Sequence, residues 1–263
     1  MSQDRLVGGS AMTLVDRNIV VTGAARGVGR AIVDMALALG ARIAAVDIDP
    51  DALDELCASA PDRVFPFAAD VVDEAAAMRC VAQVVDAWGQ VDGLVNNAGV
   101  LRSAMIDKMT MEQWRTVIDV HLTGNFIWTQ AVGRQMIERY KRGERGGAIV
   151  NISSDAGRTG TVGQINYAAA KSGVLGMTMA VAREWARFGI RCNSVAFGVI
   201  ETAMTETIRG DRFGPATLER IPMGRWGRVD EAAQPVCFLL SDAASYITGQ
   251  HIAANGGMFI GLA

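Results

Sequence analysis

The feature that most constrains this chain is a short segment near its start, where a β-rich run, a glycine-rich bend and a helical pattern follow one another directly. Asn18-Ile19-Val20-Val21-Thr22 reads as a strand that stops at Gly23. From Val28 to Leu39 the apolar residues recur at helical spacing, and Gly40 ends the pattern. Between the two lies Thr22-Gly23-Ala24-Ala25-Arg26-Gly27-Val28-Gly29. Its glycines permit a tight turn and a close approach of backbone to ligand, and the helix behind it offers a positive N-terminus to a pyrophosphate. A glycine-rich bend alone is weak support for a dinucleotide site; the strand–turn–helix context is what strengthens it.

The next strand, Arg42 to Val46, ends at Asp47, about twenty residues past the turn, where a carboxylate can accept hydrogen bonds from both adenosine-ribose hydroxyls. The same charge repels a 2′-phosphate, so NAD(H) is favoured and NADP(H) is the alternative. Arg26 supports the alternative if it reaches a 2′-phosphate, and is otherwise solvated or paired with a surface acid. Asp47 also has a plainer reading, as the start of the polar loop Asp47-Ile48-Asp49-Pro50-Asp51. A third strand, Val64 to Ala68, leads to Asp70-Val71, and a helical pattern from Glu74 to Trp88 precedes the strand Gly93-Leu94-Val95. That strand closes on Asn96-Asn97-Ala98-Gly99, whose small residues allow close approach to a cofactor and whose amides can tie neighbouring strands; a plain turn explains it almost as well.

Such β-α alternation with short, right-handed crossovers gives an α/β fold: a Rossmann-type, doubly wound parallel sheet of about seven strands with helices on both faces. At 263 residues a single domain is the most economical reading. It is expected over residues 14–263, after an N-terminal tail at residues 1–13. The net charge of −3 argues against a nucleic-acid partner, and no uninterrupted apolar run is long enough to suggest a membrane span. Met1 to Met12 lack the basic start and apolar stretch of a secretory signal, so a cytoplasmic location is expected. Cys57, Cys80, Cys192 and Cys237 show no C-x-x-C spacing and are expected as buried free thiols. With only His121 and His251 to supply imidazoles, no metal site is expected.

Chemistry enters at Tyr167-Ala168-Ala169-Ala170-Lys171. Four residues along an Ala-rich helix bring Tyr167 and Lys171 onto one face, where an ammonium can stabilise a phenolate and draw a phenol of pKa about 10 toward neutral-pH proton transfer. Ser154, thirteen residues before the tyrosine, would hold the oxygen that gains or loses the proton.

The glycine turn, Asp70-Val71, Asn96 to Gly99, Ser154 with Tyr167 and Lys171, and the late segment Asn255-Gly256-Gly257 recur in this order in the short-chain dehydrogenase/reductase family. The chain resembles that family's classical subgroup from Leu14 onward. The resemblance implies an enzyme, an NAD(P)-dependent oxidoreductase interconverting a secondary alcohol and a ketone by hydride transfer. It implies that Tyr167 is the acid/base, that Lys171 lowers its pKa and holds the nicotinamide ribose, and that Ser154 positions the substrate oxygen, with Ser153 supporting the strand end. Gly23, Arg26, Gly27, Val28 and Gly29 would meet the pyrophosphate side of the cofactor and Asp47 its ribose. Asp70 and Val71 would sit by the adenine, and Asn97, Ala98 and Gly99 near the adenosine ribose. After the strand Arg191 to Ala196, Gly198, Ile200 and Thr202 would line the nicotinamide.

Two positions depart from the family pattern. His121 stands where relatives usually carry the asparagine that holds a water linking the lysine to solvent; it either keeps that proton route open or caps a helix distortion. Phe197 replaces a usual proline, and a phenyl ring there would pack on the cofactor or narrow the pocket. By resemblance, residues 203–221 form a substrate lid. The run Arg139-Tyr140-Lys141-Arg142-Gly143-Glu144-Arg145 is either a solvated helix end or a surface for an acidic carrier. By the same resemblance, the long helices at Glu112 to Ile137 and Ala168 to Phe188 pack between subunits, with the strand His251 to Ala254 completing a second contact, and a homotetramer is expected. Gly163 to Tyr167 and Ser245 to Gln250 look most like 3-oxoacyl-thioester (acyl-carrier-protein) reductases. Alternatives are another secondary-alcohol dehydrogenase acting on a sugar, steroid or xenobiotic, or a non-catalytic nucleotide-sensing protein.

Overall fold

The computed structural model describes residues 11–261. Val, Ile and Ala are frequent in the central strands because the sheet is covered on both faces there, so side chains of either parity are buried, whereas the two edge strands are only partly covered. The strands are β1 (Asn18–Thr22), β2 (Arg42–Asp47), β3 (Val64–Ala68), β4 (Gly93–Asn96), β5 (Ala148–Ser154), β6 (Arg191–Phe197) and β7 (His251–Ala254). They form one parallel sheet in the order β3-β2-β1-β4-β5-β6-β7. The order reverses between β1 and β4, and ligands of open α/β sheets bind in the crevice beyond the strand ends at such a point.

Alternate residues of β1 separate the two cores. Ile19 and Val21 face α1 (Gly27–Ala38) and α10 (Val229–Leu240), packing with Ile32, Val33 and Val236. Val20 faces the opposite layer with Val84 of α3 (Glu74–Trp88) and with Trp128 and Val132 of α5 (Gly124–Lys141). The anticipated fold class and strand positions hold, but several helices differ from expectation. The polar stretch after Asp47 starts a helix, α2 (Pro50–Ser59): Asp49 caps it by accepting from the Ala52 amide, and Pro50 supplies the first-turn φ. The expected long helix from Glu112 to Ile137 is three pieces, α4 (Met111–Ile118), a π turn at Asp119–Thr123, and α5. Beyond β5 come α6 (Ala156–Thr159) and α7 (Ile165–Trp185), the latter extended by a 3-10 turn at Ala186–Phe188. Residues 203–221 hold a 3-10 turn at Ala203–Thr205, α8 (Glu206–Arg209) and α9 (Gly214–Leu218).

Residues 1–10 of the expected tail lie outside the described residues. Its last part is tied down, since the Ala243 amide donates to Ala11 and the Thr13 hydroxyl to the Leu39 carbonyl. Among the described residues no helix is long and apolar enough to cross a membrane. Cys80, Cys192 and Cys237 are buried free thiols pushed up to about 12 by desolvation, whereas Cys57 is only half-buried. The basic run at residues 139–145 is not an open cationic face. Arg139 is 1% exposed and binds Asp92 at 2.8 Å, Lys141 pairs with Glu138, Arg142 with Glu144 and Arg145 with Asp242. Each base already has an acid within the chain, which removes the charge surplus an acidic carrier would need there.

Candidate active site

Two elements bring the proposed catalytic side chains together. Ser154 is the last residue of β5, and Tyr167 and Lys171 lie one turn apart near the start of α7. The helix start has no side-chain cap from Gln164; Asn166 anchors it instead. The buried Asn166 amide donates to the carbonyls of Arg102 (2.9 Å) and Gln113 (3.0 Å), and its oxygen accepts from the Tyr167 amide at 2.8 Å. Ser153 supports the strand end as expected, its hydroxyl donating to the Lys171 carbonyl at 3.1 Å. Lys171 donates to the Ile152 carbonyl at 2.6 Å, and its Nζ lies 5.6 Å from the centroid of the Tyr167 ring.

The electrostatics differ from the simple picture of a lysine depressing a phenol. Desolvation pushes Tyr167 upward, and the opposing influence is its hydrogen bond with Ser154. Burial pushes Lys171 down to about 7, so near neutral pH its ammonium carries only part of a full charge. Burial thus moves the two groups in opposite directions, the phenol up and the ammonium down, each toward its neutral form. A cation fixed at the carbonyl of β5 is also a weaker perturbant of the phenol than one bonded to it.

His121 sits within the π turn, 2% exposed, with its ring edge-on to Tyr167 at a centroid distance of 5.1 Å. A π turn displaces one residue out of the regular helical surface, and here the displaced segment carries an imidazole into the site. Nε2 lies 3.0 Å from the Val100 amide nitrogen and 2.8 Å from the Val100 carbonyl oxygen. Nδ1 is buried and has no protein partner. Desolvation and the nearby Lys171 charge hold the ring's pKa well below 6.5, so it is neutral at physiological pH. Gly99 is required beside it, because a Cβ there would come within 2.4 Å of the imidazole Cε1.

The glycine turn forms the other half of the site. Gly23 and Gly27 have φ of 63° and 55°, a region that costs other residues strain. A Cβ on Gly29 would lie 1.8 Å from the Gly23 oxygen, and one on Gly23 would lie 2.8 Å from the Ala98 Cα. No side chain caps the α1 N-terminus, so its first amides remain available to an anion. This compact, uncapped cradle fits a pyrophosphate. Thr22 accepts from the amides of Asn97 and Ala98, while the Asn97 side chain donates to the carbonyls of Thr22 and Gly23, which locks β4 against the turn. Asp47, 8% exposed, accepts from the Ala25 amide at 3.0 Å and braces the turn from behind. Arg26 pairs with Asp49, one of the outcomes foreseen for it.

The remaining predicted positions distribute around this cradle. Val28 continues α1, Asp70 is exposed at the end of β3, and Val71 is buried beneath Gly124. Thr202 faces Gly27, whose added Cβ would come within 3.6 Å of its methyl, and Ile200 is buried with its bridge partner Gly227. Gly198 admits the backbone of Asn255, 2.9 Å from where a Cβ would stand. Phe197 packs into the core layer with Ile200 and Val236. Sequence reasoning missed Asn166, Thr22 and Asp155. The Asp155 carboxylate, buried beside Ser154, accepts from Asn255 at 2.8 Å, and burial raises its pKa. A polar residue flanking a motif member was the only signal for any of them.

A parallel sheet with a glycine cradle at its reversal point and a Ser–Tyr–Lys cluster at the end of β5 and the start of α7 is the arrangement of a Rossmann-type nicotinamide-dependent oxidoreductase. Residues 23–259 match the family model described as Enoyl-(Acyl carrier protein) reductase. The chain is 43% identical over 252 residues to the 3-oxoacyl-[acyl-carrier-protein] reductase FabG of Thermotoga maritima, covering 95% of this chain and 100% of that one. It is 42% identical over 246 residues to the acetoacetyl-CoA reductase of Shinella zoogloeoides, covering 93% and 99%. A crystal structure from Sinorhizobium meliloti 1021, described as a short-chain alcohol dehydrogenase, superimposes with a TM-score of 0.88 at 36% identity over 95% of this chain and 98% of that one. The chain belongs to the short-chain dehydrogenase/reductase family. It is accordingly an NAD(P)-dependent enzyme acting on CH–OH and keto groups, and the nucleotide-sensing alternative is set aside.

Proposed function

We propose that the enzyme reduces 3-oxoacyl thioesters to their 3-hydroxyacyl counterparts, or runs the reverse oxidation, with NAD(H). The observation that carries the chemistry is the hydrogen bond between Ser154 and Tyr167 one helical turn from the buried Lys171. A bound nicotinamide supplies or accepts the hydride. Ser154 holds the substrate oxygen and Tyr167 exchanges the proton with it, so charge does not build up on that oxygen. Lys171 then fulfils the role of an electrostatic partner and ribose ligand. The acyl-thioester substrate rests on the printed activities of the relatives at 42–43% identity.

Asp47 supports NAD(H): a buried carboxylate beside the turn, with Asp49 pairing the only base in it, leaves negative charge where a 2′-phosphate would sit. Glycines 23, 27 and 29 hold the pyrophosphate against α1, and Asp70, Val71, Asn97, Ala98 and Gly99 form the adenosine side. Gly198, Ile200 and Thr202 line the nicotinamide. His121 serves as the neutral relay between Lys171 and solvent, its unpartnered Nδ1 positioned for one water. Residues 203–221, with Met204 and Phe213 exposed, act as the substrate lid. The enzyme assembles as a homotetramer through the exposed apolar residues of α5 and α7, among them Phe126 and Met179.

The test is to follow reduced-nicotinamide absorbance with acetoacetyl-CoA, using NADH and NADPH separately. Tyr167→Phe should lower turnover by about 10²–10⁴-fold while leaving nucleotide binding in place. Unchanged turnover in that variant would remove the acid/base role.

A further inference from the structure

A cavity of about 300 Å³ lies at the ends of β6 and β7, and neither Ser154, Tyr167 nor Lys171 lines it. Its apolar walls come from four segments: Val199 and Ile200 after β6, Ile221 and Met223 at and just past the end of residues 203–221, Trp226 before α10, and Ala254 of β7. Arg225 and Glu231 also line it, but they bind each other bidentately at 2.8 Å and 2.6 Å. With these charges mutually satisfied, the apolar side chains make up the larger part of the lining, and Asn255 and the glycine backbone at Gly227, Gly256 and Gly257 complete it.

The cavity is coupled to the site by register and by one hydrogen bond. Ser154 pairs with Phe197 and Phe197 with Ala254, so the cavity wall lies two strand spacings, about 10 Å, from the serine. Asn255, which also lines the cavity, binds the carboxylate of Asp155, the residue after Ser154. The same Asn255 receives the Gly257 amide and donates to the Phe259 carbonyl, fixing the shape of that wall.

We propose that this cavity receives the aliphatic tail of a 3-oxoacyl thioester whose carbonyl is held at Ser154, so that chain-length selection is made here. The inference rests on the acyl-thioester reading above. The carbonyl lies at the end of β5, the tail passes beneath the end of the lid, and the thioester end remains toward solvent. Each methylene buried should raise kcat/KM by about three- to fourfold until the cavity is full.

The test compares acetoacetyl-CoA with 3-oxooctanoyl- and 3-oxodecanoyl-CoA in the wild type and in two cavity-filling variants, Ala253→Leu and Met223→Trp, both at exposed positions on the lining. The wild type should show kcat/KM rising with length. In each folded variant the ratio of 3-oxodecanoyl to acetoacetyl kcat/KM should fall at least tenfold, mainly through KM. Good acetoacetyl turnover with a wild-type kcat/KM that is flat along the series, or a ratio in both variants unchanged from the wild type, would overturn the tail site alone. No turnover of any acyl thioester by the wild type, alongside turnover of other ketones, would overturn the substrate reading and this site together.

Discussion

At the residue scale, the site works through groups held away from their solution properties. Asp47 braces Ala25 of the turn and, on the NAD(H) reading proposed above, also sets the charge at the adenosine ribose. Asp47→Ala should therefore raise kcat/KM with NADPH relative to NADH by at least tenfold, and cost about 1–3 kcal/mol because the Ala25 amide loses its partner. Paired NADH and NADPH kinetics check the first effect and a melting curve the second; an unchanged cofactor ratio would leave Asp47 only its bracing role. His121 gives a second prediction. Its depressed pKa keeps it neutral above about pH 6.5, so a relay through it adds no inflection near that value. His121→Phe should lower kcat with little change in KM, and His121→Asn should restore most of it. Equal kcat in wild type and His121→Phe would reduce the imidazole to the helix-distortion role.

At the element scale, the least anticipated feature is the break between α4 and α5, and packing around it is tight. A Cβ on Gly133 of α5 would lie 2.2 Å from Cζ3 of Trp185 on α7, so these helices meet by glycine against indole. Gly133→Ala should destabilise by about 1–3 kcal/mol, with melting lowered about 2–4 °C per kcal/mol, and adding Trp185→Leu should recover part of the loss. Additive losses in the double variant would argue against the contact. Strand positions were legible because apolar runs ended at glycine, aspartate or asparagine, as at Gly23, Asp47 and Asn96. The Ser154, Tyr167 and Lys171 set was legible from spacing. The π turn was legible only as the helix distortion that one reading of His121 allowed; Val117 to Gly124 carries no proline and its periodicity continues, so neither the type nor the bounds of the turn that places His121 beside Tyr167 could be read. Helix α10 was obscured by Pro235, which lies within its span, and α2 by the aspartates around its Pro50 start, which read as a loop but act as cap and first turn. The link from Asp155 to Asn255 spans 100 residues, a contact that local pattern does not encode.

At the scale of the whole molecule, burial of ionisable groups makes stability depend on pH in a defined direction. His121 is held well below 6.5, and His251, which bonds Ser194 at 2.6 Å, is pushed down to about 4 by desolvation and by the Arg158 charge. In the unfolded chain both titrate near 6.5, so between that value and about 4 the unfolded state binds more protons than the folded one. Their contribution is therefore complete above about pH 6.5 and is lost progressively as pH falls toward 4. Asp155 acts in the opposite sense, because its raised pKa makes the folded state the better proton acceptor at the acidic end of the same range. Asp49, Asp230, Asp242 and Glu231 are shifted below the usual carboxylate range by their hydrogen bonds and arginine partners. The interval from about pH 6 to 5 is where the two imidazoles dominate, because Lys171, held down to about 7, is already mostly protonated in the folded state there. Calorimetry across it should show the melting temperature falling with pH, and a His121→Asn, His251→Gln variant should flatten that slope even if it melts lower throughout. An equally steep slope in the double variant would assign the acid sensitivity to groups other than the buried histidines.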